Sequence, residues 1–298
     1  MDSSAVRRDR GFTLLELLIV IAIIAAIAGV AVAAYEGLDQ QAEKGQATFN
    51  IAAVDRAIRT FKVANNGAYP DDYDALVTNG GPPAFYAGMS PKVTSGSPPA
   101  SPKLQLHTLQ AREVAALANA GIRNLRFIDT AGGQPNAVGT IPNRDFDLPG
   151  RGKGISTPIA AGTTVCRINP ARLRDIAGYP LASATSADVV LVFGVGNNCT
   201  LVRNEGSGLA TFSGGLSEAP IYASAGKNQY SRFLALYVVT RDFNGDGTIA
   251  DADGDGIIEQ EGDEGSPVVA QFVAVLDTFG DWYDEEYAEY TGQKPITP

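Results

Sequence analysis

Residues 10–35 read RGFTLLELLIVIAIIAAIAGVAVAAY, and Glu16 is the only charge between Phe12 and Ala34. Those 23 residues would form a helix of roughly 34 Å, enough to cross the hydrocarbon core of a bilayer. Ahead of them Arg7, Arg8 and Arg10 outweigh Asp2 and Asp9, a bias that keeps the leader in the cytoplasm and sends the body across. An ordinary secretory signal has a shorter apolar core and a small-residue cut site after it. Here the candidate cut site, Gly11, precedes the apolar run. A plain signal anchor explains the length and the orientation but leaves Glu16 unexplained. A carboxylate about a turn inside the membrane is costly and usually functional. A cut after Gly11 would give Phe12 a free ammonium. That amine could pair with Glu16 in the same helix or on a neighbouring chain, where it would set the stagger of packed helices.

The stretch GFTLLELLIVIAIIAAIAG, residues 11–29, resembles the N-terminal segment of type IV pilins and type II secretion pseudopilins. The resemblance implies that a prepilin peptidase cuts between Gly11 and Phe12 and methylates the Phe12 amine. It also implies a helical filament with the apolar helices at its core, an inner-membrane assembly platform, and other pilin-like subunits as partners. Beyond the span, Ala47, Ile51, Val54, Ile58 and Phe61 step by four, three, four and three, one apolar stripe on a helix. The stripe is too short for a sustained coiled coil and suits packing on the chain's own globular body. Asn66-Gly67 and Pro70 stop that helix. AIRTFKVANNGAYPDDYDALV, residues 57–77, is similar to the major pseudopilin of type II secretion, in which a helix runs into an Asn-Gly turn, then Tyr-Pro, then a short Leu-containing helix.

Farther along, residues 80–102 are rich in Gly, Pro and Ser and read as a surface loop. TLQAREVAALANAGI reads as a helix ended by Gly121. NLRFIDT and TTVCRINP read as short strands. Val189–Val195 and Cys199–Val202 read as a strand pair around a Gly-Asn-Asn turn. SRFLALYVVTRD and SPVVAQFVAVLDTFGD are two further strands. GVGNNC lacks the Lys-Ser/Thr of a phosphate loop.

Between those last two strands lies RDFNGDGTIADADGDGIIEQEGDEG, residues 241–265. Asp242, Asn244 and Asp246 alternate ahead of Gly247, Thr248 offers a backbone carbonyl, Ile249 is apolar, and Asp253 stands where a closing Glu is usual. A second register runs through Asp251, Asp253, Asp255 and Gly256 to Ile258. Its closing ligand would come from Glu259, Glu261 or Asp263. Calcium takes six to eight oxygens, and a tight turn that points alternate side chains inward supplies several at once. One Ca2+ site is expected here. A second is open, because the registers share Asp251 and Asp253. No flanking helix pair is evident, so the loop reads as a structural clip. The pseudopilin resemblance implies the same, since that family binds calcium near its C-terminus. A solvated acidic loop is the bland alternative.

The 298 residues carry a net charge of −10 and a pI near 4.6, a poor partner for nucleic acid. Cys166 and Cys199 are the only cysteines; outside the cytoplasm they permit one disulfide, and two separate buried thiols are the other reading. His107, the lone histidine, reads as a surface residue without a role. In the tail, Trp282, Tyr283, Tyr287 and Tyr290 are expected to cover the body while Asp284, Glu285 and Glu286 face water.

The fold class expected is α+β: a long N-terminal helix, half transmembrane and half amphipathic, packed on a small, mainly antiparallel sheet. The expected divisions are a leader at 1–11, a span at 12–34, an amphipathic helix at 35–65, and an extracytoplasmic domain at 66–298 with its calcium loop at 242–263. The chain would sit in the inner membrane as a single pass, N-terminus cytoplasmic and head periplasmic, and join a filament after assembly. The acids lack an obvious nucleophile, so catalysis is not expected. The function expected is that of a prepilin-type filament subunit, foremost a type II secretion pseudopilin. A type IV pilin and a non-polymerising, membrane-anchored calcium-binding protein are the alternatives.

Overall fold

A computed structural model describes residues 13–79, 82–86, 88–95, 102–129, 154–175, 187–202, 216, 219–222, 229–242 and 269–293. The chain divides into two compact units, residues 1–43 and 44–298. Helix α1 runs Leu14–Ala64. In the first unit its segment Leu14–Val32 is long and apolar enough to cross a membrane, and its large side chains are exposed.

In the second unit the predicted stripe is the buried face of α1. Ala47, Ile51, Val54, Ile58 and Phe61 are all buried, as is Ala57. Spacing of three and four residues puts them on one side of the helix. The helix stops where Asn66 and Gly67 both take positive φ, 54° and 91°, and the Gly67 amide donates to the Lys62 carbonyl at 2.8 Å.

Strands β1 (Tyr73–Asn79), β2 (Leu104–Thr108), β3 (Asn124–Asp129), β4 (Gly154–Pro158), β5 (Thr164–Ile168), β6 (Val189–Gly194), β7 (Leu234–Thr240) and β8 (Gln271–Leu276) form one eight-stranded sheet. β7 lies along one edge of β6 and carries β8 beyond it. The other edge of β6 is shared: β5, backed by β2, pairs at Leu191 and Val192, and β1 pairs at Gly194. β1 in turn pairs with β3, and β3 with β4. The β1–β3 pair is parallel and the others are antiparallel, so the sheet is mixed with an antiparallel majority. Every residue of β6 and β7 is buried, as near-continuous β-branched and aromatic runs demand. Tyr69, Tyr73, Phe193 and Phe272 surround Tyr237 with ring centroids 5.2 to 6.0 Å away, and the Tyr73 and Tyr237 hydroxyls meet at 2.6 Å.

Helix α2 (Pro91–Thr94) and helix α3 (Ala111–Asn119) lie between β1 and β3 in the chain, and α4 (Tyr283–Thr291) follows β8. Gly121, at φ 93°, follows the end of α3. α4 packs on α1 where Gly45 leaves room for the Tyr290 ring; a Cβ at Gly45 would stand 2.9 Å from it. Lys44 and Glu289 pair beside that contact at 3.0 Å.

Several expectations need correction. The short Leu-containing helix after Tyr-Pro is strand β1. Asp71 accepts the backbone amides of Arg123 and Asn124, both at 2.8 Å, and so holds the incoming chain beside β3, where pairing replaces helix. Cys199–Val202 is not a strand but a pair of turns, with Cys199 and Val202 amides donating to Gly196 and Cys199 carbonyls. The Pro-rich stretch is not all surface: Tyr86, Met89, Ser90 and Val93 are buried, and Phe85 bridges to Val77.

In the structure Cys166 and Cys199 are each buried as free thiols. Cys166 faces the Leu76 carbonyl, while the residue after Cys199 bonds to Asp71. Burial pushes both thiols well above the ordinary range.

Candidate functional site

At the start of α1, Thr13 and Glu16 close a reciprocal cap. The Thr13 amide and hydroxyl donate to Glu16 Oε2 at 2.9 and 3.0 Å, and the Glu16 amide donates to Thr13 Oγ1 at 3.3 Å. Two otherwise orphaned helix N–H groups are thereby satisfied. The carboxylate is exposed, so its oxygens remain open to a further donor. The signal for this cap, Thr-x-x-Glu, stands in the sequence at residues 13–16, where the apolar run draws attention to the charge of Glu16 instead. Gly11 and Phe12, the expected processing pair, lie outside the described residues.

Of the expected calcium ligands only Asp242 is described; Asn244, Asp246, Thr248, Asp251, Asp253, Asp255 and Glu259 lie outside the described residues. Asp242 is fully buried just past β7, and its amide donates to Asp188 Oδ1 at 3.0 Å at the head of β6. Both roots of the acidic segment are tied to α3. On the incoming side Thr240 Oγ1 donates to Glu113 Oε1 at 3.3 Å; on the outgoing side the Ala270 amide donates to the Ala116 carbonyl at 2.9 Å.

Glu113 is the pivot of that anchorage and is itself fully buried. Its Oε2 accepts the Gln110 amide at 2.8 Å, capping α3, and meets His107 Nε2 at 2.9 Å. His107 is therefore not an idle surface residue. Burial would raise the Glu113 carboxyl, but the bonds from His107 and Gln110 outweigh it and hold the group below the ordinary carboxylate range. The tail also departs from expectation. Tyr283, Tyr287 and Tyr290 are exposed, with Tyr283 and Tyr287 stacked at 6.0 Å, and it is Glu286 that is buried.

The oxygen-only donor set of residues 242–259 suits calcium. The buried position of Asp242 and the pinned roots fit it too: a loop closed at its base spends less entropy on gathering its carboxylates.

Residues 6–32 match the prokaryotic N-terminal methylation motif. The type II secretion system core protein G of Aeromonas hydrophila is 38% identical over 74 residues, 24% of this chain and 51% of that protein. That of Dickeya chrysanthemi is 38% identical over 70 residues, 24% of this chain and 45% of its own length. The chain thus spans about half the length of the curated relatives it matches. No solved structure matches the chain. The chain thus carries a methylation motif at the start of an exposed apolar helix, ahead of an α+β body over a mixed sheet, and over about a quarter of its length it is similar to type II secretion core protein G.

Proposed function

We propose that the chain is a filament subunit of pseudopilin type, and that its work is assembly, not catalysis. The observation that carries this is Glu16, the lone charge in the apolar run, held at the first turn of α1 inside a methylation motif. The membrane segment stores the subunit. Removal of residues 1–11 exposes the Phe12 amine, and that cation replaces or joins the Thr13 donors on Glu16. Between chains the same pairing offsets the cost of burying a carboxylate among packed apolar helices and fixes their stagger. The orientation follows from Arg7, Arg8 and Arg10, which hold the N-terminus on the cytoplasmic side and place the head in the periplasm. The prepilin peptidase, an inner-membrane assembly platform and other pilin-like subunits are the partners of this reading.

Calcium belongs to the same reading. Asp242, Asn244, Asp246, the Thr248 carbonyl and Asp253 would hold it, with Asp251, Asp255 and Glu259 as candidates for the second register. The ion supplies charge neutralisation and closure of the segment between β7 and β8. It stabilises the head by mass action because only the folded loop gathers the ligands.

Mass spectrometry of the chain extracted from membranes tests the processing. A chain beginning at Phe12 and carrying one extra methyl group is expected. A chain still beginning at Met1 in cells with an active prepilin peptidase refutes the assembly reading.

A further inference from the structure

The turn from β8 into α4 gathers acids that neither the N-terminal cap nor the 242–263 segment uses. Asp277 is fully buried; its Oδ1 accepts the amides of Phe279 and Asp281 at 2.8 and 2.7 Å, and its own amide donates to the Asp281 carbonyl at 2.8 Å. Gly280, at φ 80°, lets this five-residue turn close. Glu286, in the first turn of α4, is 3% exposed, and its Oε1 takes the Tyr222 hydroxyl at 3.4 Å.

Two oxygens remain. Asp277 Oδ2 and Glu286 Oε2 are both sealed from solvent, and among the described residues neither has a hydrogen-bond partner. A buried acceptor left unsatisfied costs about 1–3 kcal/mol, more when charged, so each calls for a partner. Asp277, Asp281 and Glu286 each offer a carboxylate oxygen, and these three oxygens lie within 4.8 Å of one another. An ion bound at about 2.4 Å can touch donors that far apart.

The surrounding charge has the matching sign. Lys103 Nζ bonds Asp281 Oδ1 and, at 3.1 Å, the Gly280 carbonyl. That is one ammonium facing three carboxyl groups. Lys44 and Glu289 nearby cancel in their own pair. Burial first and the charge of Asp281 second push the Glu286 carboxyl up to about 7 and the Asp277 carboxyl well above its ordinary range. A cation would relieve that same repulsion.

We propose that Asp277, Asp281 and Glu286 form a divalent-cation site of calcium type, which ties the β8 turn to α4 and so holds the C-terminal helix against α1. The donors are all oxygen, as a hard cation requires. This site is distinct from the 242–263 segment. Ala270 and Asp277 flank opposite ends of β8, roughly 20 Å apart along a strand.

The test uses the full-length protein in detergent, stripped of metal, with terbium as the probe and Trp282 as the antenna. Trp282 is the chain's only tryptophan and adjoins Asp281. Excitation at the red edge of indole absorption is expected to give saturable terbium emission that calcium displaces. Glu286→Gln should weaken terbium binding at least about tenfold, because it removes a ligand charge. Asp281→Asn, at a more accessible carboxylate, should do the same, and it decides the matter if Glu286→Gln does not fold. Asp246→Asn with Asp251→Asn, in the other segment, should leave the emission intact. Emission absent from the parent, unchanged in both Glu286→Gln and Asp281→Asn, or lost only in the Asp246 and Asp251 double variant overturns the proposal. So does a double variant whose melting temperature ignores calcium but rises on mild acidification, since the carboxylates would then share protons and not a cation.

Discussion

Replacing Glu113 with alanine removes one side chain and strands three donors at once. The Gln110 amide loses its cap, His107 loses its partner, and Thr240 loses its hold on the root of the acidic segment. Bonds to a charged acceptor contribute about 1.5–3 kcal/mol each, and taking one partner from a buried ionic network costs about 3–5 kcal/mol in total. Relief from burying the carboxylate offsets part of this, so Glu113→Ala should destabilise the head by about 3 kcal/mol. Glu113→Gln can keep its amide oxygen on the Gln110 amide and His107 while its NH2 donates to the Thr240 hydroxyl, so it loses only the charge and should cost about 1 kcal/mol. Urea unfolding of the intact chain, followed by Trp282 fluorescence, reads both. The folded carboxyl sits below its ordinary value of 4.5. Its stabilisation is therefore full above that value and fades as pH falls through the lower folded one. The gap between parent and Glu113→Ala should accordingly be wide at neutral pH and narrow in acid. A loss under about 0.5 kcal/mol, the range of an ordinary surface substitution, would refute the reasoning. So would a gap that does not change with pH.

Ile58→Ala should cost about 3 kcal/mol, because Ile58 is fully buried in the α1 stripe, and the same urea titration measures it. Gly196→Ala would set a Cβ 2.6 Å from both carboxylate oxygens of Asp74; overpacking of about 1–3 kcal/mol should appear as a lower melting temperature. Glu16→Ala should leave membrane insertion intact and abolish filament incorporation, read by fractionation and by cross-linking between chains. A Glu16→Ala chain that assembles like its parent removes the register role.

What the sequence makes legible is local. The buried face of α1 follows from a spacing of three and four residues, and β6 and β7 follow from runs that only a buried strand accommodates. β1 was not legible, because nothing in Tyr73–Asn79 selects strand over helix; Asp71 does so by capping β3 some fifty residues away. The acids divide in the same way. An alternating Asp-Asn-Asp run announces a cation by its own spacing, since its ligands come from one turn. Glu113 and Glu286 announce nothing. The first is buried by β2, α3 and the end of β7, and the second by a helix whose three tyrosines take the solvent side that amphipathic reading assigns to acids. Asp277, Asp281 and Glu286 are spaced by four and five, a pattern that means little until a tight turn and one helical turn fold it into a single pocket. A net charge of −10 therefore counts the carboxylates but does not locate the costly ones. Those are the acids the fold has sealed away, and at Asp277 and Glu286 one oxygen of each has no partner among the described residues.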